Sequence, residues 1–187
     1  MKTREDAWEL LCEHTKSESL RRHALAVEAC MRYYAEKNGE DPEKWGMVGL
    51  LHDLDYEKWP SMDEHTKHTM EILRAEGWPE EIVRAVGSHY SEGTCVERES
   101  RMEHTLFAVD ELSGFIPAVT YVRPSRNVAD VEVKSVTKRM KEARFAAAVS
   151  REDIVKGAEE LGITLDEHVA NCIEGMKRNA QELGLAG

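Results

Sequence analysis

Apolar residues recur every three or four positions along most of the chain, the spacing of one face of an α-helix. The segment 19–37 shows this spacing in Leu20, Ala24, Val27, Met31 and Tyr34. Asn38-Gly39 follows directly, and a glycine just past the last apolar residue is a common end signal for a helix. The pattern therefore predicts a helix over residues 19–37.

Turn residues divide the rest of the chain into further helices. Asp41-Pro42 is a start signal, since aspartate caps a helix and proline fits its first turn. The apolar run WGMVGLLHDLDY follows and predicts a buried third helix. Residues 91–100 are predicted as a loop, and 127–133 as a short strand or a helix entry. We expect the other helices over 5–14, 63–76, 79–90, 101–116 (ending near Pro117), 151–161 and 165–183.

These elements predict an all-α fold, with about seven to nine helices in a single bundle across residues 1–187. Of the 187 residues, 41% are hydrophobic and 33% charged, which is typical of a globular protein. No apolar run approaches the roughly 20 residues of a membrane span, and the N-terminus lacks the apolar core of a signal peptide. The four cysteines show no CxxC spacing and indicate reduced thiols. We therefore expect a cytoplasmic protein without a membrane partner.

The charge of the chain indicates which classes of partner it can bind. The net charge of −11 argues against general nucleic-acid binding, which depends on contacts between cations and phosphates. The segment 122–149 has the opposite balance, with seven basic and three acidic residues. Arg123, Lys134 and Lys138 in this segment are candidates for contacting a substrate phosphate, and the two lysines lie one helical turn apart. The alternative is that the segment forms a solvated helix face.

Histidine and aspartate residues interrupt the apolar helix faces at several points. His23 lies on the face of Leu20 and Val27, and the adjacent His52 and Asp53 interrupt the third helix. Buried polar groups need partners, and imidazole and carboxylate are the ligands that Zn, Fe, Mn and Ni accept. One interpretation is that each is a hydrogen-bonded core residue. The other is a metal site, whose candidate ligands are His23, His52, Asp53, His65, His89 and Asp110.

The order of these residues resembles that of the HD superfamily of metal-dependent phosphohydrolases. A mid-helix histidine precedes the His-Asp pair by about 30 residues, and Leu50-Leu51 comes directly before the pair. The segments HTKHTMEIL (65–73), AVGSHY (85–90) and AVDELSG (108–114) resemble later family segments. The resemblance covers about residues 17–117, so residues 122–187 would form a C-terminal helical extension. It implies an all-α bundle with the metal site inside.

Residue roles carried over from this resemblance include a dinuclear site. His23, His52, Asp53 and Asp110 would hold the first ion, and His65 and His89 the second, with Asp53 bridging as the catalytic carboxylate. The site would bind one or two divalent ions, with Fe, Mn, Zn, Ni and Mg not distinguished. The family has glycine where this chain has Asp55, which would orient a ligating imidazole or else cap a helix end or face solvent. His68 is an alternative ligand to His65.

The resemblance implies a phosphohydrolase acting on a nucleotide or another small phosphate ester. A second hypothesis is a non-catalytic domain, in which the same ligands bind metal and a nucleotide as a sensor or regulator. A third is a closed site that only braces the bundle. An enzyme needs an open coordination position facing a solvent-connected cleft, whereas a structural site is closed. The sequence leaves the oligomeric state open.

Overall fold

The computed structural model describes residues 1–187 and contains ten α-helices and one 3₁₀ helix, with no β-sheet. The all-α prediction is confirmed. None of the helices combines the length and the apolar character needed to cross a lipid bilayer. The helices are α1 (Arg4–His14), α2 (Glu18–Asn38), α3 (Pro42–Leu51), α4 (Lys67–Ala75), α5 (Glu80–Ser88), α6 (Ser91–Thr94), α7 (Arg101–Tyr121), α8 (Val133–Met140), α9 (Arg151–Glu160) and α10 (Leu165–Lys177).

Side-chain caps set the start of most of the longer helices. The Asp41 carboxylate accepts hydrogen bonds from the backbone N–H groups of Glu43 and Lys44, with Pro42 in the first turn as predicted. The hydroxyls of Thr3, Ser17, Ser100, Ser150 and Thr164 cap α1, α2, α7, α9 and α10 in the same way. Gly39, with φ +71°, ends α2 at the predicted position.

Helix α7 continues through Pro117, where the sequence predicted its end. A proline inside a helix removes one backbone hydrogen bond and costs about 3 kcal/mol or more. The residues after it, Val119 and Thr120, are buried, and the Thr120 hydroxyl donates to the carbonyl of Ile116. Tertiary burial therefore outweighs the local preference of proline.

Three helices near the predicted ligands are shorter than expected. Helix α3 ends at Leu51, α4 begins at Lys67 instead of residue 63, and α5 ends at Ser88. His52, His65 and His89 consequently lie in caps and turns. The predicted loop 91–100 contains the short α6, and the predicted strand or helix entry contains a 3₁₀ helix (Val128–Asp130). Helix α10 ends at Lys177, before the predicted residue 183.

The hydrophobic core is one cluster of 42 buried residues that extends along the chain from Ala7 to Leu185. Helix α2 packs against α3, α7 and α10. The two backbones approach closely at Gly49 of α3, where a methyl group would lie 2.8 Å from the backbone nitrogen of Glu28. The expected division into a core over about 17–117 and an extension over 122–187 stays a prediction.

A buried polar network joins α2, α7 and α10. The His168 ring donates from Nε2 to the carbonyl oxygen of Ala108 at 2.7 Å, and its Nδ1 lies 2.6 Å from the Tyr34 hydroxyl. Because a carbonyl oxygen can only accept, Nε2 carries the proton and Nδ1 accepts from Tyr34. The Asn171 amide donates to the same hydroxyl. Burial lowers the pKa of His168, which favours the neutral ring in the folded chain.

We predict that Gly49→Ala destabilises the fold by about 1–3 kcal/mol, because the added methyl group forces α2 and α3 apart. Denaturant unfolding followed by circular dichroism measures this change. Gly114→Ala in α7 is the matched control, since its methyl group would find its nearest neighbour at 3.9 Å. The control should be neutral or stabilised by up to about 1 kcal/mol. An unchanged unfolding midpoint for Gly49→Ala would contradict the close packing.

Acid should weaken the fold through His168. The unfolded histidine titrates near its ordinary pKa of about 6.5, and the folded one titrates lower. As the pH falls below about 6.5, His168 takes up a proton in the unfolded chain but not yet in the folded chain. The free energy of unfolding therefore decreases. His168→Gln cannot gain this proton. The gap in unfolding free energy between wild type and His168→Gln should narrow from pH 8 to pH 5.5, and a constant or wider gap would refute the role of His168.

Candidate metal centre

The six predicted ligands converge on one place in the fold. Their nitrogen and oxygen atoms form two groups that share Asp53, and within each group all atoms lie within 4.8 Å of one another. His23 comes from α2, Asp110 from α7, and His52 and His89 from the ends of α3 and α5. Asp53 and His65 come from the turns between α3 and α4. The first group is His23, His52, Asp53 and Asp110, and the second is Asp53, His65 and His89.

The first group has the spacing of ligands around one ion. His52 Nε2 lies 3.2 Å from Asp53 Oδ2 and 3.3 Å from Asp110 Oδ1, and His23 Nε2 lies 3.0 Å from the same Asp110 oxygen. Ligand atoms about 2.0–2.2 Å from a transition metal are roughly 3 Å from their neighbours. The separation of 3.9 Å between His23 Nε2 and Asp53 Oδ2 is the widest of these contacts.

The second group is arranged around the other oxygen of Asp53. His65 Nε2 lies 3.3 Å from Asp53 Oδ1, and His89 Nε2 lies 3.4 Å from it. The two oxygens of Asp53 therefore face different sets of imidazoles. This is the arrangement that a carboxylate shared between two ions would have.

Backbone carbonyl groups fix the tautomers of His52 and His89. His52 donates from Nδ1 to the carbonyl oxygen of Gly49 at 2.7 Å, and His89 donates from Nδ1 to that of Val86 at 2.6 Å. Because the carbonyl can only accept, Nδ1 carries the proton and the neutral ring presents a lone pair at Nε2. Each ring folds back over the last turn of its own helix, as its cap position allows. Both Nε2 lone pairs are thus available to a cation.

Asp55 holds the ring of His65 in the same way. Its buried carboxylate lies 3.0 Å from His65 Nδ1 and accepts a hydrogen bond from the Thr69 backbone N–H at 2.9 Å. Burial raises the pKa of Asp55, but the bonds from His65 and Thr69 outweigh it and hold that pKa below its ordinary value. The structure shows the expected contact with the imidazole, and the bond from Thr69 also places this carboxylate at the first turn of α4, so that Asp55 does not face solvent. Thr66, between these residues, has φ +71°, which is strained for a β-branched residue.

The charges of the clustered side chains favour the binding of a cation. Burial lowers the pKa of His52, but the charges of Asp53 and Asp110 outweigh it and hold the pKa above its ordinary value. Burial likewise raises the pKa of Asp53, yet His52 and His89 keep it well below the ordinary value. His52 Nε2 and Asp53 Oδ1 are buried and make no hydrogen bond, although charged groups surround them. Such orphaned atoms are costly, and divalent ions at the two groups would satisfy both. The residues therefore fit a divalent metal.

His68, the alternative ligand to His65, lies outside the cluster. Its ring stacks on Trp59 with 4.1 Å between centroids, and its nitrogens face Glu64 and Glu71 at 3.5 and 3.4 Å. His65 lies in the turn of residues 61–66 and His68 lies in α4, so the two histidines do not share a helix face as the predicted helix implied. The structure brings His65 to the cluster and leaves His68 on the surface side of α4.

The three basic residues proposed to contact phosphate are also elsewhere. Lys134 and Lys138 are exposed on α8, and Lys134 pairs with Glu132 at 3.1 Å. Arg123 is half-buried just after α7. None of them lines the cleft beside the cluster. Their phosphate role stays a prediction, and the solvated-face interpretation describes where the structure places the two lysines.

A cleft of about 260 Å³ opens beside the second group and reaches His65, His89 and Asp110. Sequence reasoning missed the other polar residues along it. Burial, with the neighbouring charge of Asp110, raises the pKa of Glu111 to about 7. Arg98 and Lys156 line the same cleft from the segment before α7 and from α9. No motif marks Arg98 or Lys156, and Lys156 meets the cluster only through the packing of α7 against α9, whereas Glu111 lies beside Asp110 in the segment 108–114.

Comparison with known families agrees with this arrangement. The model of the HD domain family matches residues 20–113, half of the 187-residue chain. No curated protein and no solved structure matches the chain. The matched residues run from the helix that carries His23 to just beyond Asp110 on α7. The chain therefore belongs to the HD domain family.

Proposed function

We propose that this protein is a metal-dependent phosphohydrolase with a dinuclear site, acting on a nucleotide or another small phosphate ester. The observation that carries the proposal is the position of Asp53. One of its oxygens faces His52 and the other faces His65 and His89, at distances of 3.2–3.4 Å. A carboxylate in this position serves two ions at once, which a site built only to brace the bundle does not require.

The chain's own residues would each have a simple task. His23, His52, Asp53 and Asp110 would hold the first ion, and His65 and His89 would join Asp53 around the second. Two divalent ions held there would polarise a phosphoryl group and lower the pKa of a water molecule. The hydrogen bonds of His52 and His89 to the carbonyls of Gly49 and Val86 keep both lone pairs aimed inward. The cleft at His65, His89 and Asp110 would admit the ester.

The ligand chemistry narrows the choice of ion without fixing it. Four imidazoles and two carboxylates suit Fe, Mn, Zn and Ni. Mg fits less well, because it favours oxygen ligands and retained water. Reconstitution with each ion in turn is therefore part of any activity screen.

We predict two ions per wild-type chain, measured by mass spectrometry on protein purified without a metal-affinity step. The metal content of Asp53→Ala should fall towards zero ions per chain, since this carboxylate belongs to both groups. The metal content of His65→Ala should fall towards one ion per chain. His68→Ala is the matched control and should keep both ions, because its ring lies outside the cluster. One ion in wild type, unaffected by His65→Ala, would contradict the dinuclear site.

Hydrolysis should follow the same pattern. We expect the reconstituted wild-type protein to release phosphate from nucleotides or small phosphate esters, and Asp53→Ala to lose this activity by at least about a thousandfold. His68→Ala should keep it. If the ions bind and no ester is hydrolysed, but a nucleotide raises the melting temperature, the regulatory interpretation replaces hydrolysis.

Asp55→Ala should weaken binding of the second ion about 10–100-fold, because nothing would then fix the tautomer of His65. Chelator competition at stepwise ion concentrations measures both affinities, and the first should stay unchanged. Glu64→Ala is the control, since its carboxylate contacts only Ser61 and His68. Equal affinities in wild type and Asp55→Ala would show that His65 needs no such support.

A further inference from the structure

The cleft beside the cluster takes part of its wall from outside the segment that matches the family. Asp153 and Lys156 project from α9, and both line the cleft together with His89 and Asp110. Helix α9 packs along α7, the helix that carries Asp110. The residues of α9 therefore face whatever occupies the cleft.

Lys156 is the only uncommitted cation in the cleft. Arg98, the other cation, gives two hydrogen bonds of 2.8 Å to Glu160 and one of 3.1 Å to the carbonyl of Ser88. Lys156 is exposed, and its ammonium leans over the Phe107 ring at 5.7 Å without forming an ion pair. A free ammonium beside a metal site suits a phosphate oxygen.

The remaining groups of the cleft favour hydroxyl groups over an aromatic base. The face of Phe107 is covered by the Arg98 guanidinium at 3.8 Å. Tyr90 packs on Gly93, where a methyl group would lie 2.1 Å from the ring, and its centroid lies 5.8 Å from that of His65. Both aromatic rings that line the cleft are therefore already in contact with other groups. The rim instead offers acceptors for hydroxyl hydrogens, from Ser91, Glu92 and Asp153.

The volume of the cleft also favours a small hydroxylated ligand. Pockets for drug-sized ligands run from about 300 to 1,000 Å³, and this cleft holds about 260 Å³. A phosphate with a short hydroxylated chain or a sugar fits that volume better than a whole nucleotide. The carboxylates of the rim also repel an anion, so a phosphate here needs a cation on its outer side as well as the ions.

We propose that the cleft binds a phosphate monoester of a small hydroxylated alcohol, such as a sugar or polyol phosphate, and that Lys156 contacts its phosphate. This inference rests on the proposed hydrolase function, because the phosphate would lie between Lys156 and the two ions. It assigns the phosphate contact to α9 and not to the basic segment 122–149.

Binding of inorganic phosphate to the Mn²⁺-loaded protein, followed by calorimetry, tests the role of Lys156. Lys156→Gln should weaken phosphate binding about tenfold, the effect of losing one charge-assisted hydrogen bond, with metal content unchanged. Lys141→Gln is the matched control, as an exposed lysine that forms no ion pair and does not line the cleft, and should stay within about twofold of wild type. Equal binding by wild type and Lys156→Gln, or equal losses in both variants, would overturn the assignment.

Ribose 5-phosphate and adenosine 5′-monophosphate test the substrate class, since they differ by the base. We expect kcat/KM for ribose 5-phosphate to exceed that for the nucleotide by at least about tenfold. A preference for the nucleotide would overturn the class. A wild-type protein that binds no ion, or that hydrolyses no ester at all, would instead refute the proposed function. The phosphate titration distinguishes failure of the Lys156 assignment from failure of the proposed function, because it measures phosphate affinity without hydrolysis.

Discussion

Two carboxylates surrounded by four imidazoles inside a helical bundle form the constraint on which this structure depends. Partial burial of Asp53 and Asp110 is unfavourable unless positive charge lies close by, and His52 Nε2 and Asp53 Oδ1 make no hydrogen bond. A cation removes this cost. The helix packing serves the same arrangement, since the close approach of α2 and α3 at Gly49 brings His23 beside His52.

Much of this arrangement is readable in the sequence, because it rests on local patterns. Periodic apolar residues locate the helices, and caps such as Asp41 locate most of their starts. His52 and Asp53 stand out because they interrupt an apolar run, and their order with His23 and Asp110 fits the family. Helix ends are less predictable. Pro117 looks like a stop, yet burial of the residues beyond it carries α7 onward.

Other features depend on tertiary contacts and leave no local signal. Asp55 contacts His65 in a turn that the apolar periodicity predicts as part of a helix. Contact between Asp55 and the His65 ring was therefore only one of the expectations for Asp55. Lys156 lies more than 40 residues beyond Asp110 in the sequence and meets the cleft only because α9 packs on α7. The basic run 122–149 draws attention by composition alone, and composition does not say which way a helix faces.

The positions of His52 and His89 at the ends of α3 and α5 influence the electrostatic potential at the cluster. A helix carries a partial negative charge at its C-terminus, so two helix dipoles direct their negative ends at the same cluster. Together with Asp53 and Asp110, they create a field that attracts cations and repels anions. An anionic ester would therefore meet an unfavourable potential until divalent ions were bound. The fold itself would impose an ordered reaction, in which metal loading precedes capture of the substrate and phosphate release returns the site to its cation-loaded form.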